Sequence, residues 1–336
     1  MLRAVDAAER VHGRTSPNPW VGAVLVPAAA DGAPSAWSTG ATSPPGGPHA
    51  EVTALTVAGE RARGGTLYVT LEPCSHHGRT PPCVDAIVAA GVTRVVVGLS
   101  DPDPLVDGQG IAALEAAGID VVVGVAGDIV DEQLAPYLAH RRTGRPWVVL
   151  KLAASLDGRI AAPDGTSRWI TGEAARADAH RLRAVADAVV VGAGTVRADD
   201  PTLTVRLPEG DPMFRGPEEQ PARVVLGTVP EGAAVEPAIA LTGTPDEVLD
   251  RLGAMGMVQV LIEGGASVAH DFHVRGLVDR YVLYLAPALF GGDDARPLFA
   301  GDGVATIADL WRGEVRSVTS LGNDIRVELA PPDPPA

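Results

Sequence analysis

The chain has 336 residues, 46% of them apolar, which is enough for two packed cores and excludes wholesale disorder. Its formal net charge of −15 argues against a sequence-independent grip on nucleic acid, which needs a basic surface to displace phosphate counterions. Two cysteines, Cys74 and Cys83, are too few for a disulfide scaffold, and neither a leader nor an apolar run of about 18 residues is visible. The chain therefore reads as cytoplasmic and soluble, with no membrane partner, and its neighbouring cysteines read as metal ligands.

In chain order, residues 1–10 suit a helix and 21–26 (VGAVLV) a strand. Residues 27–48, rich in Ala, Ser, Pro and Gly, read as loop with room for a short strand. A helix follows over 49–62, a strand over 66–70, a short helix over 83–90 and a strand over 94–99. A helix at 109–117, a strand at 121–125 and a helix at 128–141 close this part. The alternation predicts a mostly parallel sheet covered on both faces.

Residues 142–146 (RTGRP) read as a linker, after which the alternation resumes. Strands are expected near 147–154, 188–192, 222–226, 258–262 and 280–286, and helices near 172–186, 245–254 and 266–275. A hairpin over 314–320 and 324–329, turning at Gly322-Asn323, precedes a loose tail at 331–336. The polar, Pro-rich stretch 207–221 reads as a surface loop. The apolar strand 280–286 is expected to be exposed and available to pair across a homo-oligomer.

The chemistry-bearing residues gather where strands hand over to helices. His49-Ala50-Glu51 opens a predicted helix, Pro73-Cys74 follows the strand at 66–70, and Cys83 opens the next helix. One imidazole and two thiolates suit zinc and leave a fourth position for water, the catalytic rather than the structural arrangement. A structural site would draw a fourth ligand from His76 or His77, but it would leave Glu51 unexplained. Glu51, two residues beyond His49, is placed to stand beside the ion without binding it and to carry protons. His-x-Glu with Pro-Cys is the arrangement of zinc deaminases as a class, although there the cysteines are two residues apart and here they are spaced Cys-x8-Cys. Asn18, before the first strand, suits the polar edge or sugar of a substrate, or simply starts a turn with Pro19.

The stretch Thr70–Cys83 (TLEPCSHHGRTPPC), with Asn18-Pro19, Val21-Gly22 and Pro48–Glu51, closely resembles the bifunctional deaminase–reductase family of riboflavin biosynthesis. The resemblance continues through Asp101–Pro104 (DPDP), Lys151–Gly158 (KLAASLDG), Ser167–Thr171 (SRWIT), Ala198–Arg206 (ADDPTLTVR) and Glu263-Gly264-Gly265. It implies an α/β protein: a cytidine-deaminase-like three-layer domain over 1–143 and a dihydrofolate-reductase-like α/β domain over 146–331. The first would deaminate 2,5-diamino-6-(5-phosphoribosylamino)pyrimidin-4(3H)-one. The second would reduce the ribose of 5-amino-6-(5-phosphoribosylamino)uracil with NADPH. The only partner implied is this small phosphoribosyl pyrimidine.

By the matching motifs, Zn²⁺ falls to His49, Cys74 and Cys83, and proton transfer to Glu51. NADPH falls near Ala153, Trp169, Thr195, Asp199 and a loop from Gly265, Ala266 and Ser267 to Asp271. Substrate falls near Ser167, Arg183, Leu203, Arg206 and Glu263. A ribose phosphate needs cations such as Arg183 and Arg206, and Lys151 suits a polariser or proton donor for the ribose carbonyl. Blander readings stand beside these: Gly192-Ala193-Gly194 lacks the third glycine of a dinucleotide fingerprint, and Arg183, with Arg176 and Arg181, fits a solvated helix face. The chain also departs from the family pattern. It looks short between Arg206 and Val258, and Gly227 stands where an Asp is expected after the strand 222–226. That predicts a rebuilt cofactor rim, and leaves open an active deaminase joined to a degenerate, non-catalytic reductase-like domain.

Overall fold

A computed structural model describes residues 1–28, 36–78 and 80–332, and divides into two units between Arg145 and Pro146. The first unit runs α1 (Leu2–Glu9), β1 (Gly22–Val26), β2 (Ser38–Ala41), α2 (Ala50–Ala58) with a 3-10 turn at Gly59–Ala62, and β3 (Thr66–Leu71). It continues with α3 (Cys83–Ala89), β4 (Arg94–Leu99), α4 (Gln109–Ala116), β5 (Asp120–Val123) and α5 (Gly127–Thr143). The expected elements are all present, within a few residues of their predicted ends. Part of the predicted 27–48 loop, residues 29–35, lies outside the described residues.

The sheet order is β2-β1-β3-β4-β5. The expectation of a mostly parallel sheet is corrected: β1 runs antiparallel to both β2 and β3, and only β3, β4 and β5 are parallel. The stretch between β1 and β2 is shorter than the roughly dozen residues a parallel crossover needs, so that pair forms as an antiparallel ribbon. The parallel crossover is β2–α2–β3, which straddles β1.

Two glycines let helices sit hard on this sheet. A Cβ on Gly22 would stand 1.9 Å from the Ala4 carbonyl oxygen of α1, and one on Gly40 would stand 2.2 Å from the Ala50 carbonyl oxygen of α2. Gly40 pairs with Ala23, the neighbour of Gly22, so the two glycines face opposite sides. Hence α1 and α2 cover opposite faces, and the unit has three layers.

The second unit contains β6 (Trp147–Ser155), β7 (Arg159–Ala161), α6 (Glu173–Val185), β8 (Ala188–Gly192), α7 (Ala193–Asp199), β9 (Ala222–Leu226) and β10 (Ile239–Leu241). It ends with α8 (Pro245–Ala254), β11 (Gln259–Ile262), α9 (Ala266–Val274), β12 (Arg280–Ala286), β13 (Arg296–Pro297), β14 (Glu314–Leu321) and β15 (Asp324–Ala330). The main sheet has the order β10-β9-β8-β11-β6-β12-β15-β14. It is parallel from β10 through β12, and its last two pairings are antiparallel. Leu150, Val260, Leu252 and Phe272 sit at the centre of its core. α8 starts on a capping box between Thr244 and Glu247 with Pro245 at its first position.

Three further expectations are corrected. Strand 280–286 exposes no edge: β12 is bonded to β6 on one side and β15 on the other, with Tyr281, Val282, Tyr284 and Ala286 buried. Its apolar run marks a strand buried on both faces, so it offers no surface for pairing across an oligomer. The stretch 207–221 is not simply a surface loop, because Leu207 packs with Ala184, Val205 and Met213, and buried Arg215 donates to the Ala184 carbonyl at 2.6 Å. The stretch 265–271 is not a loop but the start of α9. The sequence reading missed β7, β10 and β13, which are too short to show a period, and the seven-residue α7. Residues 333–336 of the expected tail lie outside the described residues. Among the described residues, no helix is long and apolar enough to cross a membrane.

Candidate functional site

Three chain segments deliver the first site. Pro48 and the acidic Glu51 suit the start of α2, whose N-cap is His49. β3 ends at Leu71 and hands the chain to Pro73-Cys74. Pro82 keeps the residue before it, Pro81, out of the helical region and is itself extended at ψ 137°, so α3 begins at Cys83. The donor atoms of His49, Cys74 and Cys83 lie within 4.8 Å of one another. His49 Nδ1 is 3.2 Å from Cys83 Sγ and 3.6 Å from Cys74 Sγ, and neither cysteine forms a disulfide. One nitrogen and two sulfurs facing one point fit a zinc ion in donor chemistry and spacing. His76 and His77 are exposed and do not join this group.

Charge within the cluster is uneven. The Cys74 thiol is held down to about 4, first by its hydrogen bond with Cys83 and then by His49 and the Cys83 N–H, which donates to its sulfur at 3.4 Å. The Cys83 thiol is pushed up by Cys74 and by burial. His49 is raised, chiefly by its hydrogen bond to Cys74. Glu51 is 3% exposed in the first turn of α2, and burial raises its carboxyl to about 7. Asn18 sits in a turn in which its N–H donates to the Thr15 carbonyl and the Thr15 hydroxyl donates to its own carbonyl, both at 2.9 Å.

In the second unit, the ends of β6, β8 and β11 open into a cavity of about 1170 Å³. Ligands collect at this edge in parallel α/β sheets. Lys151 and Ala153, two residues apart on β6, both line it. So do Glu263 beyond β11, Gly265, Ala266 and Ser267 at the start of α9, and Thr195 and Asp199 on α7. Ser167, Trp169, Arg183, Leu203 and Arg206 complete the set. Asp271, the far end of the expected cofactor loop, is not among the lining residues, because only the start of α9 lines the cavity.

The chain was then compared with known proteins. Residues 1–99 match the cytidine and deoxycytidylate deaminase zinc-binding region, and residues 146–327 match the RibD C-terminal domain. The riboflavin biosynthesis protein RibD of Bacillus amyloliquefaciens is 40% identical, with 99% of this chain and 96% of that protein covered. The RibD of Mycobacterium tuberculosis is 43% identical, with 97% and 95% covered. This chain belongs to the RibD family. Among solved structures, Acinetobacter baumannii RibD superposes with a TM-score of 0.90 at 40% identity, covering 99% of this chain and 98% of that one. A diaminohydroxyphosphoribosylaminopyrimidine deaminase/5-amino-6-(5-phosphoribosylamino)uracil reductase from Thermotoga maritima gives 0.87 at 33% identity, with 98% and 97% covered. The chain is thus a bifunctional RibD enzyme with a deaminase domain and a reductase domain.

Within the RibD cavity, the solvated-face reading of Arg183 is overturned. Its side chain is 12% exposed and grips Glu263 with two bonds, Nε to Oε1 at 2.5 Å and Nη2 to Oε2 at 2.8 Å. Burial pushes the Glu263 carboxyl up, but the Arg183 charge and its bonds override this and hold it at about 2. Arg181 pairs with Asp211 at 2.8 Å, and Arg176 lies 4.7 Å from the centre of the Trp169 ring. Arg206 is exposed and donates to the hydroxyls of Thr202 and Thr204, so its charge remains available to a phosphate. Burial lowers Lys151, opposed by the charge of Glu263. Gly227 has φ +110°, and a Cβ there would stand 3.1 Å from that of Ala193, so the backbone disfavours an Asp; Leu226 lines the cavity instead.

Two supporting residues escaped the sequence reading. Glu72 is buried and accepts backbone N–H bonds from Asp101, Gly108, Gly110 and Ile111 at 2.9–3.3 Å, pinning the start of α4 beside Pro73. Its signal was an acidic residue at the end of a buried strand. His180, one helical turn before Arg183, accepts from the Arg206 N–H at 3.3 Å, and burial and the two arginines push it down to about 4. Its i,i+3 spacing from Arg183 was visible.

Proposed function

We propose that residues 1–143 deaminate 2,5-diamino-6-(5-phosphoribosylamino)pyrimidin-4(3H)-one by hydrolysis, and that residues 146–331 reduce the ribose of the product to ribityl with NADPH. The observation that carries the first half is the convergence of His49, Cys74 and Cys83 beside buried Glu51. These three residues would hold Zn²⁺, which would bring a bound water's pKa to about 7. Glu51 takes a proton from the attacking water and passes it to the departing nitrogen. One C–N bond breaks, one C–O bond forms, and ammonia leaves. Asn18 binds the polar edge of the substrate.

In the second half, NADPH when bound would supply a hydride for the ribose carbonyl carbon. Ala153, Trp169, Thr195, Asp199 and Gly265–Ser267 hold the cofactor, while Ser167, Arg183, Leu203, Arg206 and Glu263 hold the substrate. Lys151 gives the carbonyl oxygen its proton, and burial makes that ammonium a readier donor. Arg206 meets the phosphate. Leu226 and Gly227 favour a second reading in which the reductase half binds without catalysing. Supplying the diaminopyrimidine ribotide with and without NADPH, with products identified by mass, separates the two. The first reading gives loss of the amine alone without NADPH and a further gain of two hydrogens with it. Deamination with no NADPH-dependent mass change leaves the second.

A further inference from the structure

The segment Thr80-Pro81-Pro82-Cys83 carries a ligand at one end and an unassigned hydroxyl at the other. Thr80 Oγ1 lies 3.3 Å from His49 Nε2, on the far side of the ring from the sulfurs. A neutral imidazole has one N–H, and the nitrogen that binds a cation must be the one without it. Nδ1 faces both sulfurs, at 3.2 and 3.6 Å, so it is the nitrogen aimed at the ion, and the proton belongs on Nε2. That proton needs an acceptor, and the Thr80 hydroxyl oxygen is in reach.

We infer that Thr80 is a positioning residue for the metal centre: by accepting the Nε2–H of His49, it holds the tautomer and ring orientation that leave Nδ1 free for the ion. The inference rests on the metal-centre reading above. The backbone makes this support stiff. Each proline fixes φ near about −65°, and Pro82 sits at φ −56°, ψ 137°, so few torsions separate the hydroxyl from the Cys83 sulfur. On the other side, the Gly78 N–H donates to the Thr80 carbonyl at 3.3 Å. The two prolines neither bind metal nor move protons; here they hold an acceptor and a thiolate at a set separation. Groups that orient a ligating imidazole in this way typically change metal affinity by about 10–100-fold when removed.

The test is zinc affinity, measured on the full chain by competition with a chromophoric chelator for the parent, Thr80→Val, Thr80→Ser and His49→Ala. Thr80→Val keeps the shape and removes the acceptor; it should bind zinc about 10–100-fold more weakly. Thr80→Ser should restore parental affinity, and the unfolding midpoint of the metal-stripped chain should be the same in all three Thr80 forms. Thr80→Val binding as tightly as the parent overturns the inference and leaves the metal-centre reading standing. A metal-stripped midpoint that falls in Thr80→Val, with no rescue of affinity by serine, also overturns it and marks Thr80 as merely structural. A parent that binds no zinc, or a His49→Ala chain that binds it equally well, overturns the metal centre and this inference together. Should Thr80→Val not fold, Thr80→Ala against Thr80→Ser makes the same comparison.

Discussion

Glu51 and Glu263 are both buried acids, and their surroundings shift their carboxyls in opposite directions. Burial raises Glu51 to about 7, whereas Glu263 is clasped by Arg183 and held at about 2. Glu51→Gln should therefore cut deamination by about 10²–10⁴-fold while the chain keeps its zinc, checked by ammonia release and metal analysis. A fully active Glu51→Gln chain would remove its proton-transfer role. Glu263→Gln leaves the Arg183 guanidinium buried without its anion, which should destabilise the second unit by about 3–5 kcal/mol in urea unfolding. The pH dependence follows from the depressed carboxyl. In the unfolded chain it titrates at its ordinary value near 4.5 and in the folded chain near 2, so its contribution is complete above about 4.5 and is lost as pH falls toward 2. The parent's stability should drop over that window more steeply than the variant's. At this scale the metal donors and Glu51 were legible because their spacing and order are bound to one chemistry. Thr80 was not, because it acts through a contact with a residue far from its own neighbours in the chain, and Glu72 and His180 left only partial signals, an acid at a strand end and an i,i+3 spacing, because no local pattern announces their burial.

The elements that matter most are those that aim these side chains. α2 presents both His49 and Glu51, and it can do so only because Gly40 lets its backbone reach the sheet. Gly40→Ala places a Cβ against the Ala50 carbonyl and should both lower stability by about 1–3 kcal/mol and weaken zinc binding, read by thermal unfolding and chelator competition. Parental behaviour in both would show that α2 does not need this approach. In the reductase unit, Asp279 precedes β12 and accepts the Val148 N–H of β6 at 2.7 Å, while burial pushes its carboxyl up to about 6. Between its ordinary value of 3.8 and about 6, the folded state keeps a proton that the unfolded state has released. Stability from this group is therefore present at low pH and lost as pH rises through 6. Asp279→Asn keeps an acceptor for Val148 and carries no charge, so it should stabilise the chain by roughly 1–3 kcal/mol at pH 7 and by little at pH 4. Element type was readable wherever a run had a clear period. What it concealed was pairing: β12 reads as an apolar strand whether it lies at an edge or in the middle, and the direction of β1 depends on what its neighbours do.

Across the whole chain, two units carry two chemistries, and each gathers its site from segments far apart in sequence. The three candidate metal donors come from before α2, after β3 and the start of α3, while the reductase cavity draws on β6, β8, β11 and the loops around them. That two-part division was visible in the renewed strand–helix alternation after the RTGRP stretch. The shape of the cofactor rim was not, since the φ of Gly227 and the inward side chain of Leu226 depend on how β9 meets α7 and β10. The proposed deamination requires one nitrogen and two sulfurs sharing an ion that keeps an open position. Zinc-edge X-ray absorption on freshly purified full-length protein tests this most directly. It should find one zinc per chain with two sulfurs at about 2.3 Å, one imidazole nitrogen near 2.0–2.1 Å and one further light atom from solvent. A zinc with no sulfur neighbours, or a zinc-free chain that still releases ammonia from the diaminopyrimidine, would contradict it.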